Sequence, residues 1–244
     1  MLNREPDAPA FLALWNSVLE PGARREYEQW HSLEHVPERV ALPGFVAAER
    51  YRSVDEVEDY FTLYQLESLA ALETGAYRDV FTHPTPWSAR MRPLLGDFYR
   101  LPCVRSGSLG PSRSPCLMTL RWRSSEPCLT DRLNEWLARQ SLHGDLVHAE
   151  WGYAPATAPY WKANTASDTQ GTGLEHVALL QHYALDDLRE SQQALARFLR
   201  PHVASMGHAR CYQLQSSVTH ADAATSTGSR RAPHPVLFNH YTQG

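Results

Sequence analysis

The chain has 244 residues, a formal net charge of −4 at pH 7, and 43% hydrophobic and 20% charged residues. This is the composition of an ordinary globular protein, and its weak negative charge argues against nucleic acid or an anionic membrane as a partner. No apolar run approaches the ~20 residues that a membrane span needs, and the charged N-terminus is unlike a signal peptide, so we expect a cytoplasmic protein.

The first half of the chain predicts the element order βαββαβ. Short apolar or alternating runs that end at Gly, Pro or acidic residues favour strands, whereas charged stretches without Gly or Pro favour helices. Ser68 is the expected N-cap of the second helix. The predicted strands are 9–18, 45–54, 60–66 and 96–101, and the predicted helices are 23–35, 69–77 and a short turn at 87–92.

The second half predicts the same order again, after a segment rich in Gly, Ser and Pro at 105–115. The βαββαβ order is that of a ferredoxin-like unit, whose sheet leaves one face uncovered unless a second unit packs against it. The predicted strands are 116–122, 146–153, 175–185 and 209–218, with helices that begin at Thr130 and Asp186 and a long polar loop at 154–173.

We therefore predict an α+β fold in which two ferredoxin-like βαββαβ units pack sheet to sheet within one chain. The first unit is expected at 1–104 and the second at 116–220, joined by a linker at 105–115. A partly disordered tail is expected at 221–244. Such a chain is an intrachain pseudo-dimer, and the sequence leaves a further homodimer open.

One stretch of the chain concentrates acid–base side chains. His31, Glu34, His35, Glu38 and Arg39 lie within ten residues of a predicted helix. Residues four apart share a helix face, which places His31 with His35 and Glu34 with Glu38. We expect the helix to kink or end near residue 36, because the proline that follows lacks an N–H and disfavours helical geometry before it.

Several strings in the first half of the chain together match a known family. They are Trp15, the strings 30–31, 34–39, 43–45 and 50–51, the strand at 60–68, and the string 85–87. Through them, residues 8–102 resemble the EthD-like proteins of the dimeric α/β-barrel superfamily. Relatives include cofactor-free monooxygenases, muconolactone-type isomerases, polyketide cyclases and proteins without an assigned reaction. The resemblance implies that the two units form an intrachain dimeric α/β barrel, although the second half is similar only in its element order.

The resemblance also implies a histidine that works with a tyrosine or an acid in a cleft between sheet and helices. In this chain that role carries over to His35, with Tyr51 or Tyr64 as the phenol. A histidine takes up or releases a proton near neutral pH, and Glu34 or Glu38 could orient it. The expected function is a cofactor-independent, metal-free isomerase or lyase that acts on a small aromatic or polyketide-like carbonyl compound.

Several alternatives stay open. His35 could instead cap the C-terminal end of its helix. Arg39 is expected to pair with Glu38, since arginine grips carboxylates bidentately, or else to hold an anionic substrate. The H-x-x-E-H spacing of His31, Glu34 and His35 is also that of a zinc hydrolase. A cofactor-free monooxygenase and a non-catalytic small-molecule-binding or stress-related protein are the remaining alternatives.

Aromatic side chains in both halves and histidines in the second half are candidates for a substrate cavity. Aromatic walls suit a flat hydrophobic ligand, although any single one of these side chains also suits core packing. Histidines that face into one barrel could meet and bind a metal. The candidates are Trp15, Tyr60, Trp87, Trp151, His148, His176 and His182.

Overall fold

The computed structural model describes residues 9–56, 59–126, 129–157, 172–225 and 230–242. Most of its strands lie close to the predicted ones, because each is an apolar or alternating run closed by turn residues. The strands are β1 (Ala10–Val18), β2 (Phe45–Ser53), β3 (Asp59–Leu66), β4 (Leu95–Leu109), β5 (Cys116–Ser124), β6 (His148–Ala154), β7 (Leu174–His182), β8 (Ser205–Met206) and β9 (Arg210–Thr219).

The helices lie between these strands and after the last of them. No helix in the described part of the chain is long and apolar enough to cross a membrane. The helical segments are α1 (Arg24–Trp30), a π turn (His31–His35), α2 (Val36–Val40), α3 (Gly75–Thr82), α4 (Pro86–Met91), α5 (Leu129–His143), α6 (Leu185–Leu199), α7 (His220–Ala223) and α8 (Pro235–Thr242).

Eight of the strands form one closed antiparallel barrel. In the first half the order is β4-β1-β3-β2, and in the second half it is β9-β5-β7-β6. The pairs β2–β9 and β4–β6 join the two halves at both edges, and the short β8 pairs with β5. The predicted barrel is confirmed as a closed eight-stranded one, in which the strand edges of each half pair with the other half instead of staying open. Its origin as two ferredoxin-like units stays a prediction.

The segment predicted as a linker takes part in this closure. β4 continues to Leu109 and pairs with β6 from Val104 onward, so the beginning of 105–115 is strand. The predicted loop at 154–173 lies largely outside the described residues, which resume at residue 172.

Side chains alternate along each strand between the barrel interior and the helix-covered outside. On β1, Phe11 and Trp15 belong to a buried cluster with Leu117 and Tyr212 from the second half, so they point into the barrel. The intervening Leu12 packs with residues of α2 on the outside. The outer face of β1, β3 and β4 is thus the surface on which the first half can build a site.

The first helical segment was predicted to kink or end near residue 36, and it does not end there. The backbone N–H of Val36 bonds to the carbonyl of His31, five residues back, which is the hydrogen bond of a π turn. This shift makes Pro37 an early residue of α2, where a missing N–H costs little. The helix therefore runs on to Val40, and His35 lies within it rather than at its C-terminal end.

The second predicted helix also differs at its start. Ser68 makes no capping hydrogen bond, and residues 69–73 form a tight 3₁₀ turn. Thr74 caps α3 instead, because its side-chain oxygen accepts a hydrogen bond from the N–H of Tyr77. As a result Tyr77 is fixed at the start of α3 and buried against the sheet.

The described part of the C-terminal tail packs on the first helical segment. The ring of Tyr241 lies 6.1 Å from that of Trp87, and its hydroxyl donates to Gln29 at 2.7 Å. Phe238 and Leu237 pack against the same buried cluster. Residues 230–242 therefore cover the side of α1 and the π turn that faces away from the sheet.

Candidate functional site

A cavity of about 250 Å³ lies between the outer face of the first-half strands and the helical segments above them. Its size is near the lower end of the ~300–1,000 Å³ that is usual for small-molecule sites. Most of its wall is apolar or aromatic, and its apolar members are Leu12, Leu14, Phe45, Phe81, Leu95 and Phe98. Its polar members are Asn16, His31, His35, Arg39, Tyr64, Tyr77, Arg92 and Arg100.

The π turn places two histidines side by side in the cavity wall. The rings of His31 and His35 are stacked with their centroids 4.9 Å apart, and the ring of Trp30 lies 4.3 Å from that of His35. The Nδ1 atom of each histidine is buried and has no hydrogen-bond partner among the described residues. Nε2 is therefore the nitrogen of each ring that is left to meet a ligand.

Burial and nearby positive charge keep both histidines neutral. Burial is the main cause that lowers the pKa of His31 and His35 well below the usual 6.5, and Arg39 lowers both further. Among the neighbouring charges, Arg50 lowers the pKa of His31 most, and Arg92 further lowers the pKa of His35. At neutral pH each ring can accept a proton but carries no charge.

We expect the free energy of unfolding to fall as the pH drops below about 6.5, where the unfolded chain protonates His31 and His35 and the folded chain does not. Each such histidine contributes about 1.4 kcal/mol per pH unit until the folded pKa is reached. Urea unfolding between pH 5 and 8 measures this slope. His31→Gln and His35→Gln should each reduce it, and an unchanged slope would contradict the burial of the neutral rings.

Three arginines from separate elements form a cluster in the same wall. Arg39 of α2 donates to the carbonyl of His35 at 3.0 Å and to Glu38 at 3.2 Å. Arg92 donates to the carbonyls of Phe81 and Val80, at 2.8 and 3.1 Å.

Arg100, the third member of this cluster, lies on β4 and is 3% exposed. It donates to the Tyr77 hydroxyl at 2.7 Å. No aspartate or glutamate is among the described residues that line the cavity, and its charged side chains there are these three arginines.

Tyr64 brings a phenol to the cavity. It lies on the outer face of β3, is 2% exposed, and makes no side-chain hydrogen bond to a described residue. Burial raises the pKa of Tyr64 above its ordinary value, so the hydroxyl keeps its proton. Tyr64 can therefore donate a hydrogen bond to an oxygen in the cavity, which is the part predicted for it.

Glu34 and Glu38 do not reach the histidines. Thr85 donates to Glu34 at 2.5 Å, and the backbone N–H of His234 donates to its other oxygen at 2.6 Å. Glu38 binds Arg39 and Arg230. Neither glutamate therefore makes the contact to His35 that the predicted orienting role requires, because both carboxylates are bound to other groups.

Three further candidates, Tyr51, Trp15 and His148, point into the barrel. Tyr51 donates to Glu49 at 2.8 Å and packs on Phe61, on the face of its strand opposite to the cavity. Trp15 donates to Thr119, and His148 contacts Arg113 and the carbonyl of Gly110. Strand alternation therefore separates these three residues from His35.

The remaining predicted binding residues are placed elsewhere. Tyr60 donates to Glu28 at 3.0 Å and Trp87 donates to Glu26 at 3.0 Å, both beneath α1. Trp151 packs in the outer core of the second half. His182 accepts from the N–H of Ala184 at 3.1 Å. None of them lines the cavity beside His35.

The two metal sites kept as alternatives are not assembled among the described residues, which contain no group of three side chains able to hold a metal ion. Glu34 points away from His31 and His35, so the zinc-hydrolase geometry is missing. In the second half, His176 stacks on Trp122 with an interplanar angle of 6°. His182 lies at the other end of the same strand, so the three second-half histidines do not meet.

Sequence reasoning missed half of the polar wall. Arg92, Arg100, Tyr77 and Asn16 were not candidates, yet all line the cavity. The sequence could have marked Arg100 as a candidate. It lies on the same strand face as Phe98, and a charge buried on an apolar face normally needs a partner. Asn16, which accepts from Tyr27 at 3.1 Å, had a weaker signal, as a polar residue in an apolar strand.

Comparison with solved structures identifies the fold. An anthrone oxidase-like protein matches with a TM-score of 0.63 at 11% identity, over 89% of this chain and 96% of that chain. A proposed monooxygenase from Lactobacillus acidophilus matches with a TM-score of 0.55 at 8% identity, over 87% and 97%. A chlorite dismutase mutant from Candidatus Nitrospira defluvii, in complex with cyanide, matches with 0.53 at 10%, over 86% and 92%.

The chain has the dimeric α/β-barrel fold. At these identities the likeness to solved structures shows the fold alone, and the closed eight-stranded antiparallel barrel agrees with it. No family model matches the chain, and no curated protein matches it. The narrower resemblance to EthD-like proteins stays a prediction.

Proposed function

We propose that the protein is an enzyme that moves a proton on a small aromatic or polyketide-like carbonyl compound bound in the cavity beside His31 and His35. The observation that carries this proposal is the pair of neutral imidazoles, both without a partner at Nδ1 among the described residues, in a wall that is otherwise aromatic and cationic. A histidine with no structural hydrogen bond to make, at a cavity of ligand size, is available for chemistry.

In the proposed reaction, Nε2 of His35 takes a proton from the carbon next to the substrate carbonyl. The electron pair of the broken C–H bond moves to the carbonyl oxygen, which becomes an enolate. Tyr64 donates a hydrogen bond to that oxygen, and the nearby Arg39 stabilises its negative charge. Return of the proton to a different carbon, or loss of a leaving group, gives the isomerase or lyase outcome.

A cofactor-free monooxygenase is the second candidate, and the names of two structural neighbours favour it. The first step is the same proton removal. The carbanion then reduces dioxygen, so that a CH₂ group becomes a carbonyl and the second oxygen atom leaves as water. Oxygen consumption with an aromatic ketone as substrate separates this reaction from isomerisation.

Two features of the fold belong to the same proposal. We infer that the chain arose as two fused ferredoxin-like units, at 1–104 and 116–220. The equal strand orders β4-β1-β3-β2 and β9-β5-β7-β6 support this inference. We also infer that the first unit works as an EthD-like half, since its helix carries the histidines that line the cavity.

The test uses deuterium exchange, because it detects proton removal without knowledge of the product. A panel of small aromatic ketones and 1,3-dicarbonyl compounds is incubated with the protein in D₂O and followed by proton NMR. We expect exchange at the carbon next to the carbonyl for at least one compound. His35→Gln should slow it by roughly 10²- to 10⁴-fold, the usual share of a general base.

The matched control is His143→Gln, which changes an exposed histidine at the end of α5 and should exchange at the wild-type rate. Tyr64→Phe should retain exchange but slow it, because the enolate oxygen loses one donor. If His35→Gln binds the compound and exchanges as fast as wild type, His35 has no catalytic part and the protein is better described as a carrier.

A further inference from the structure

The floor of the cavity has a polar side chain toward each end. Leu12, Leu14 and Asn16 of β1 all line the cavity, because alternate residues of a strand point to the same side of the sheet. In the pairing of β1 with β3, Tyr64 lies opposite Leu12. Tyr60 lies opposite Asn16. Asn16 and the backbone position of Tyr64 are therefore four residues apart along the floor, which is roughly 13 Å.

The helical segment above the floor passes over these two ends in turn. At one end, the ring of Tyr27 lies 4.6 Å from that of Tyr60, the strand partner of Asn16. At the other end, residues of α2 belong to the same buried cluster as Tyr64. His35 follows Tyr27 by eight residues and directly precedes α2, and it lines the cavity. It therefore lies above the floor between the Asn16 end and the Tyr64 end.

The amide of Asn16 is held in one orientation. Asn16 is 3% exposed, and its Nδ2 donates to the carbonyl of Ser17 at 3.3 Å. A carbonyl can only accept, so the amide atom that faces it is the nitrogen. The Oδ1 atom accepts from the hydroxyl of Tyr27 at 3.1 Å. That hydroxyl keeps its proton, because burial raises the pKa of Tyr27.

One hydrogen of this fixed amide is left for a ligand. The NH₂ group carries two hydrogens, and its bond to Ser17 uses one of them, the one such bond that it makes among the described residues. Leu95 and Phe98, which line the cavity on the strand beside Asn16, carry no acceptor in their side chains. A buried donor without a partner is costly, so a ligand that fills the cavity should bring an acceptor to this end.

We propose that the substrate is a flat fused-ring carbonyl compound with a second oxygen at the far end of its long axis, the carbonyl bound at Tyr64 and the second oxygen at Asn16. This inference rests on the proposed function, which places the reacting carbonyl at Tyr64, and it names the substrate class. The C–H group that reacts then lies between the two oxygens, under His35. Asn16 binds and aligns the substrate and takes no part in the proton transfer.

The test compares two ligands that differ in one terminal group. 6-Hydroxy-2-tetralone carries an oxygen at both ends of a fused ring system, and 6-methyl-2-tetralone has a methyl group of similar size in place of the hydroxyl. Binding of each to the full chain is measured by isothermal titration calorimetry. We expect the hydroxyl compound to bind roughly tenfold more tightly, because the methyl compound leaves the buried amide hydrogen unpaired.

Two variants and one control assign this preference to Asn16. Asn16→Leu should abolish it, so that the two compounds bind within about twofold of each other. The double variant Asn16→Leu, Tyr27→Phe removes both partners of the internal hydrogen bond, leaves no buried hydroxyl unpaired, and should behave in the same way. Asn239→Leu changes an exposed asparagine of α8 and should keep the wild-type preference.

The inference is overturned if wild type binds the two compounds equally, if neither binds at millimolar concentration, or if both Asn16 variants keep the preference. Deuterium exchange at C1 of 6-hydroxy-2-tetralone, the carbon between the carbonyl and the aromatic ring, tests the proposed function separately. Exchange that depends on His35, without any preference for the hydroxyl compound, removes this inference alone. A preference that depends on Asn16, with exchange unchanged in His35→Gln, removes the catalytic proposal and leaves the binding result standing.

Discussion

Replacing Glu38 with Ala is expected to lower the free energy of unfolding by about 3–5 kcal/mol, the usual effect of removing one partner from a buried ion pair. Glu38 is 1% exposed and holds Arg39 at 3.2 Å and Arg230 at 2.7 Å. Without it, the buried Arg39 keeps its charge but loses its carboxylate. Urea unfolding at pH 7 measures the loss.

The matched control for this prediction is Glu126→Ala, which removes a partly exposed carboxylate from pairs with Arg132 and His202 near the surface. It should cost about 1 kcal/mol or less, because solvent screens such pairs. The isosteric Glu38→Gln tests the catalytic alternative. If that variant stays as stable as wild type and loses activity as fully as His35→Gln, Glu38 acts on the histidine and the structural role is refuted.

Deleting residues 230–244 is expected to destabilise the protein by about 3 kcal/mol or more, because Glu34 and Glu38 each lose a charge-assisted hydrogen bond of ~1.5–3 kcal/mol. The lost donors are the backbone N–H of His234 and the guanidinium of Arg230. The deletion also uncovers Trp87. Hydrogen exchange should show faster exchange in the π turn and α2, while the second-half strands change little.

Single substitutions show which tail contacts account for the loss of stability. Arg230→Ala should reproduce part of the loss, since it removes the contacts to Glu38 and Asp79. Arg231→Ala removes a neighbouring guanidinium whose hydrogen bond among the described residues is to the carbonyl of Ala223, and it should be close to neutral. Exchange rates in the π turn that stay at wild-type values after the deletion would show that the tail does not support the histidine-bearing helix.

Local patterns predicted the strands well, because the alternation of buried and exposed side chains is recorded in a few neighbouring residues. The closure of the barrel was not predictable in the same way. The pairing of β2 with β9 joins residues such as Ala47 and Thr219, which no short-range pattern connects. The long β4 was mistaken for a strand followed by a linker, since its second part contains Gly and Ser that usually mark turns.

The site was predicted in part for related reasons. Spacing placed His31 and His35 together, and the structure agrees because four residues apart remains one face even in a widened turn. The choice between Tyr51 and Tyr64 depended on which strand face looks outward, and alternation alone does not decide that. Arg92 and Arg100 come from a distant part of the chain, so only the folded barrel brings them to the histidines.

The π turn at His31–His35 is a place where the chain can gain or lose a single residue during evolution. Such a turn is an α-helix that holds one residue more than the regular hydrogen-bond pattern accommodates. Losing one residue, which is one codon in the gene, would turn the π turn into a regular α-helix. Leu33 is 47% exposed, so the loss of its side chain would not disturb the core. We expect a one-residue insertion or deletion there to change how the cavity wall meets the tail, while the strand pairs of the barrel stay as they are because they lie outside this segment.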